Sequence, residues 1–174
     1  MCYPNTDIMT HMMVDSDNMA ANVMIDFLGG LAPINREIRK LGCTGTFLER
    51  KLMDTDALAA GKDNMTSVDD LGGALIAIYN GKLISSDADK QMLKIMAQNK
   101  NHEKLPAKVT NATEVYNKTG EFAQFGVEND AAIFVGKRHT FVVAVMSQNG
   151  HSQEQIQAES DLGEQLATLM LPTA

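Results

Sequence analysis

Residues 113–146 read TEVYNKTGEFAQFGVENDAAIFVGKRHTFVVAVM, and this stretch decides the fold. Asp130 to Val135 and Thr140 to Met146 are rich in valine, isoleucine and phenylalanine, and the turn Gly136-Lys137-Arg138-His139 separates them. Short β-branched and aromatic runs on either side of a glycine-containing turn predict an antiparallel hairpin. Thr113 to Tyr116 is β-prone too, so the segment entering Lys118-Thr119-Gly120 is expected as a third strand.

Downstream, Ile156, Leu162, Leu166 and Leu169 predict a final helix from about Ser152. Upstream, the chain reads as helical. Thr6 or Asp7 can cap a short helix through Met13, and Met19, Ala20, Val23, Met24, Phe27 and Leu28 follow a helical period. Gly29-Gly30 stops that helix, and Pro33 suits the first turn of the next, which runs to Leu41-Gly42. Residues 42–62 are expected to be irregular. Thr66 or Ser67 opens a helix with a buried stripe of Val68, Leu71, Leu75 and Ile78, which Gly81 ends. Ser85 or Ser86 caps another that carries Met92, Leu93 and Met96. Helices first, then a meander closed by a helix, predict an α+β fold: a mainly helical part at 1–111, then three antiparallel strands and a C-terminal helix at 112–174, in one domain.

The chain has 174 residues, 15 Lys and Arg against 22 Asp and Glu, and a net charge of -7. An acidic surface opposes sequence-independent nucleic-acid binding and anionic membranes. The longest apolar runs are too short for a membrane span, and Met-Cys-Tyr-Pro-Asn-Thr-Asp at the start has neither the basic nor the apolar region of a signal peptide. Two cysteines, Cys2 and Cys43, set no disulfide framework and are expected as reduced thiols, with one bridge left open. Twelve methionines without tryptophan suit adaptable core filling, or a surface awaiting cover.

Two triplets carry chemistry. Ser16-Asp17-Asn18 opens a helix, and Lys118-Thr119-Gly120 ends a strand. The first is also a good helix cap, since all three residue types favour that position. Each triplet occurs by chance in roughly 2–4% of chains this long, but both in about one in a thousand. Together they resemble two of the three signatures of serine β-lactamases and penicillin-binding proteins, closest to the class A β-lactamase-like hydrolases. Asn64-Met65-Thr66-Ser67, Tyr79-Asn80-Gly81-Lys82-Leu83 and Asn129-Asp130-Ala131-Ala132-Ile133 extend the resemblance over nearly the whole chain.

The resemblance implies a helical subdomain plus an antiparallel sheet flanked by helices, with the active site between them. It implies a β-lactam or D-alanyl peptide substrate and no cofactor. Lys118 and Thr119 are then the cation and hydroxyl that hold the substrate carboxylate, and Gly120 lets the substrate lie along the strand. The Glu121 backbone N–H is an oxyanion-hole donor. Ser16 relays a proton to the leaving amine. Asn18 binds the substrate's side-chain amide, and Asp17 is a buried structural carboxylate.

The third signature, Ser-x-x-Lys, is absent, since no serine or threonine has lysine three positions on. Ser86 with Lys90 misses by one. The expectation is therefore a C-terminal portion of such a domain, inactive alone, with a bare edge on the strand 140–146 that invites a homodimer or an N-terminal complementing chain. A non-catalytic binding or scaffold module, or a truncated remnant, is the alternative. Class A enzymes also place a deacylating glutamate in an Arg-x-Glu-x-x-Leu-Asn loop. Here Glu49-Arg50-Lys51-Leu52-Met53-Asp54 puts leucine at that position, which implies slow deacylation. The family acts in the periplasm or outside the cell. His11, His102, His139 and His151 show no metal spacing, so no metal is expected. Asn64, Asn111 and Asn117 begin glycosylation sequons.

Overall fold

The computed structural model describes residues 5–172 and divides into two compact units, 1–70 and 71–174. Cys2 lies outside the described residues; Cys43 is a free thiol.

The first unit holds α1 (Asn5–Val14), α2 (Asn18–Phe27), α3 (Leu31–Lys40) and the short α4 (Thr55–Ala59). Gly30, at φ 93°, turns the chain between α2 and α3 in a conformation that favours glycine. The expectation of an irregular 42–62 misses α4, which Asp54 caps by accepting from the Ala57 amide at 3.0 Å. The rest of that segment is held by side chains that stand in for a sheet. Asn22 bonds both backbone groups of Leu52 (2.9 and 2.8 Å), and Asn35 does the same for Leu48 (2.8 and 2.8 Å). Asn64 Oδ1 accepts from the Glu49 and Arg50 amides, and Asp70 Oδ2 from the Gly45 amide and the Thr46 hydroxyl. Arg50, almost fully buried, pairs with Asp63 at 2.8 Å. Little apolar area is covered. The helical period of α2 is present, yet its buried residues are Ala20 and Ile25, while Met19, Val23 and Phe27 stand exposed.

Helix α5 (Val68–Tyr79) starts at the end of the first unit and continues into the second. Leu75 and Ile78 are buried as expected, but Val68 is exposed because it lies in the opening turn. Ser85, not Ser86, caps α6 (Ser86–Met96), its hydroxyl accepting from the Ala88 amide. The three expected strands are present: β1 (Glu114–Phe122), β2 (Val127–Val135) and β3 (Thr140–Ser147), antiparallel and in the order β1-β2-β3. Strand β2 starts three residues before Asp130. A 3-10 turn, Ala123–Phe125, joins β1 to β2 and ends at Gly126 with φ 55°.

Helix α7 (Ser152–Met170) covers the sheet. Phe134 and Phe141 stack at 5.0 Å in a core with Leu105, Ala132, Ala167 and Leu171. The buried face of α7 differs from expectation. It is Glu159, Ser160, Gly163 and Ala167, with Leu166 partly covered, while Leu162 and Leu169 are exposed. Small residues sit inside because the helix rests on the chain at Leu105. A Cβ on Gly163 would come within 1.9 Å of the Leu105 carbonyl oxygen. Among the described residues, no helix is long and apolar enough to cross a membrane.

Candidate functional site

The two triplets lie in different units. In the first, Ser16, Asp17 and Asn18 are all exposed. Asp17 is the N-cap of α2, its Oδ1 accepting from the Met19 amide at 2.7 Å and the Ala20 amide at 3.2 Å. This corrects the expectation of a buried carboxylate. A cap sits at the rim of its helix, and no described residue covers this one. Ser16 holds φ 52°, a left-handed conformation that costs a serine about 1 kcal/mol. Just before it, His11 Nδ1 lies 2.8 Å from Asp15 Oδ2.

In the second unit, β1 alternates. Asn117 and Thr119 are buried, and Lys118 and Gly120, each next in the chain, are half-buried. Lys118 Nζ donates to the Thr119 carbonyl at 2.6 Å. Burial pulls the Lys118 ammonium below the usual lysine range. Glu121 and Asp130 resist that shift, and Lys104 adds to it. The Thr119 hydroxyl turns inward and accepts from Asn101 Nδ2 at 3.2 Å, so it does not share the half-buried positions of Lys118 and Gly120.

Gly120 shares an open setting with Gly72 and Gly73 of α5 and differs from Gly126, Gly136, Gly150 and Gly163 of this unit. It has no positive φ, and a Cβ there would meet nothing nearer than Asn129 Cβ at 4.0 Å. Neither backbone conformation nor packing requires glycine at this position, in contrast with Gly126 and Gly163. Its missing side chain leaves open room along the strand.

Behind this strand lies a polar interior that the sequence reading missed. Asn99 Nδ2 donates to the Asn117 carbonyl at 2.8 Å, and Asn117 Nδ2 donates to the Asn101 carbonyl at 3.0 Å and to both Asp130 oxygens at 3.2 and 3.3 Å. Lys104, 2% exposed, places Nζ 2.7 Å from Glu128 Oε2 and 3.0 Å from Glu121 Oε1. The Glu128 contact is short but poorly directed for a hydrogen bond. Burial lowers the Lys104 pKa, and the two carboxylates more than reverse that, leaving it raised. Burial pushes Asp130 up to about 6 against its bonds from Asn117, and pushes Glu159 up to about 7. Neither Glu159 oxygen has a hydrogen-bond partner. In the sequence, Asn129-Asp130 stands out only as part of the family resemblance, Glu121 as a backbone donor and Asn117 as a sequon. Lys104, an isolated lysine in an irregular segment, gave no signal at all.

The sequons serve structure. Asn111 Nδ2 donates to the Ala167 and Leu171 carbonyls, Asn64 pins the 49–50 backbone, and Asn117 is buried. Among the described residues, no group of three His, Cys, Asp or Glu could hold a metal ion. A cavity of about 240 Å³ lies at the far end of β1, lined by residues 110–113, the basic turn 137–139, Leu171 and Pro172; it does not touch Lys118, Gly120 or Glu121.

Helices before a three-stranded antiparallel meander, a closing helix, and Lys-Thr-Gly on the first strand define a β-lactamase-like fold. The chain belongs to the beta-lactamase enzyme family, whose model matches residues 2–169. Its fold is similar to that of a β-lactamase from Sphaerobacter thermophilus, at 28% identity and a TM-score of 0.85. That match covers 94% of this chain and 62% of the other. PBP-A is similar at 24% identity and a TM-score of 0.84, over 96% of this chain and 61% of that one. A leucine-to-glutamate variant of PBP-A is solved as an acyl-enzyme complex with penicillin G. The TLA-3 extended-spectrum β-lactamase matches at 19% identity and a TM-score of 0.81, over 92% of this chain and 62% of that one. The chain thus spans about three-fifths of the length of these structures. No curated protein matches it.

Proposed function

We propose that this chain supplies the substrate-holding residues of an acyl-transfer site for β-lactams or D-alanyl peptides, and that it does not acylate by itself. Lys118 is the cation for the substrate carboxylate, and the Thr119 hydroxyl joins it only on leaving its inward bond from Asn101. Gly120 gives the substrate room, and the Glu121 amide donates to the developing oxyanion. Ser16 relays the proton and Asn18 binds the side-chain amide; Asp17 fixes the start of α2. The observation that carries this reading is Gly120, whose missing side chain leaves free space on the strand two residues after the half-buried Lys118.

The nucleophile and its activating amine have to come from outside these 174 residues, because no Ser-x-x-Lys occurs within them. Leu52 stands where class A enzymes carry the deacylating glutamate, so the completed site acylates and then deacylates slowly. Within the described residues β3 pairs only with β2, which supports a further strand, from a complementing chain or a second copy, along its free edge. The second reading is a non-catalytic module that holds the same ligands reversibly, and the absence of Ser-x-x-Lys favours it.

Intact-mass measurement after incubation with penicillin G tests the proposal. The chain alone is expected to show no adduct, and no turnover of a chromogenic cephalosporin. Co-expression with a segment that carries Ser-x-x-Lys is expected to yield an adduct on that segment, and Leu52→Glu to shorten the adduct's lifetime. An adduct on the isolated chain sinks the proposal. Lys118-dependent reversible binding without complementation selects the second reading.

A further inference from the structure

Lys104 is the one lysine among the largest side chains that are fully buried among the described residues. A buried ammonium is costly unless acceptors surround it, and the acceptors show what it holds. Its Nζ lies 3.1 Å from the Asn129 carbonyl oxygen and 3.4 Å from that of Gly120, besides the ion pairs to Glu128 and Glu121. These four groups form two adjacent rungs of the β1–β2 ladder, Gly120 with Asn129 and Glu121 with Glu128.

The consequence follows from peptide geometry. The Gly120 carbonyl and the Glu121 N–H belong to one planar unit and point in opposite directions. A group that holds the carbonyl therefore aims the amide. Glycine has no Cβ to restrict the swing of that unit, so a contact beyond the β1–β2 ladder adds to its hold. Lys104 grips it twice, at the Gly120 carbonyl and through the Glu121 side chain. The other charged groups that act on Lys104 are Asp130 on β2, Glu159 on α7 and Lys118 on β1, and at 2% exposure its ammonium is closed off from solvent.

We propose that Lys104 is a positioning residue for acyl transfer: it fixes the Gly120–Glu121 peptide so that the Glu121 N–H points at the oxyanion. This rests on the reading of Lys118 to Glu121 as the substrate wall. The test uses the ¹⁵N-labelled full chain, the double variant Lys104→Met/Glu128→Gln, and Lys104→Arg. N–H residual dipolar couplings are measured without ligand, and penicillin G affinity by titration. In the double variant the Glu121 coupling is expected to change while those of Ile133 and Phe134 do not, and penicillin G affinity is expected to fall at least about tenfold. Lys104→Arg keeps the charge and is expected to show a smaller change confined to Glu121, which decides the matter if the double variant does not fold.

An unchanged Glu121 coupling, alongside penicillin G binding that Lys118→Ala abolishes, overturns the positioning role alone. Core couplings that move together with Glu121 also overturn it, since they mark a merely structural lysine. No penicillin G binding by the parent chain, or binding indifferent to Lys118→Ala, overturns the substrate-wall reading and the positioning role with it.

Discussion

The two units are ordered by different forces. Among the described residues, the first buries only Ala20 and Ile25 of its apolar side chains, and it exposes Met19, Val23, Phe27, Leu28 and Met53. Its order comes from asparagine and aspartate side chains bonded to loop backbone. The second buries Ile133, Phe134, Leu105 and Ala132 completely, and it buries the titratable Lys104, Glu128, Asp130 and Glu159 as well. A hydrogen bond contributes about 0.5–1.5 kcal/mol net, whereas a fully buried large apolar side chain contributes about 1.5–3 kcal/mol. The first unit is therefore specified more strongly than it is stabilised. Its apolar helix face stands exposed, whereas the Lys-Thr-Gly strand is rooted in a real core.

The largest expected effect is in that core. Phe134→Ala removes a fully buried ring stacked on Phe141 and is expected to cost about 3–5 kcal/mol, read by urea denaturation with a probe in the second unit. Little or no cost would erase the contrast between the units.

Next comes pH. Asp130 and Glu159 hold their protons more tightly folded, at about 6 and about 7, than as free carboxyls. Their contribution is complete below about pH 4 and is lost as the pH rises through 6 to 7. Glu128, pushed up by burial but lowered further by Lys104 and Ser152, works in the opposite sense and loses its contribution as the pH falls below the usual glutamate range. Stability is expected to peak in mildly acidic solution. Glu159→Gln is expected to gain on the order of 1–3 kcal/mol above pH 7 and almost nothing at pH 4. A gain independent of pH, in thermal melts across that range, would show that Glu159 does not titrate in the fold.

In the first unit, Asn22→Ala strips both partners from the Leu52 backbone and is expected to cost about 1–3 kcal/mol, with faster hydrogen exchange confined to the 48–65 loop. The smallest effect is expected at Phe27→Ser, within about 0.5 kcal/mol, because the ring is 64% exposed. A loss much larger than that, dependent on protein concentration in sedimentation, would show the α2 face already covered by a second copy.

Much of the fold was legible in the sequence. The strands around Gly136 to His139 declare themselves through β-branched runs, and Gly29-Gly30 and Ser85 mark helix ends through backbone chemistry that is local. What failed to show is long-range. The start of β2 at Val127 was hidden because Glu128, Asn129 and Asp130 are poor strand formers that gain their place from Lys104, Leu105 and Ser147 across the fold. The inner face of α7 was misread because Gly163 is there for contact with Leu105, which a hydrophobic period cannot register. Lys118 and Gly120 were legible as a motif, but the inward turn of Thr119 was not, since it depends on Asn101.

The most direct test of the central claim is a penicillin G titration of the ¹⁵N-labelled chain, followed by dilution. The account expects amide shifts clustered at Lys118, Gly120 and Glu121 that reverse on dilution and vanish in Lys118→Ala. Shifts elsewhere, no shifts, or a species that persists after dilution would contradict a chain that holds the substrate without the nucleophile to acylate it.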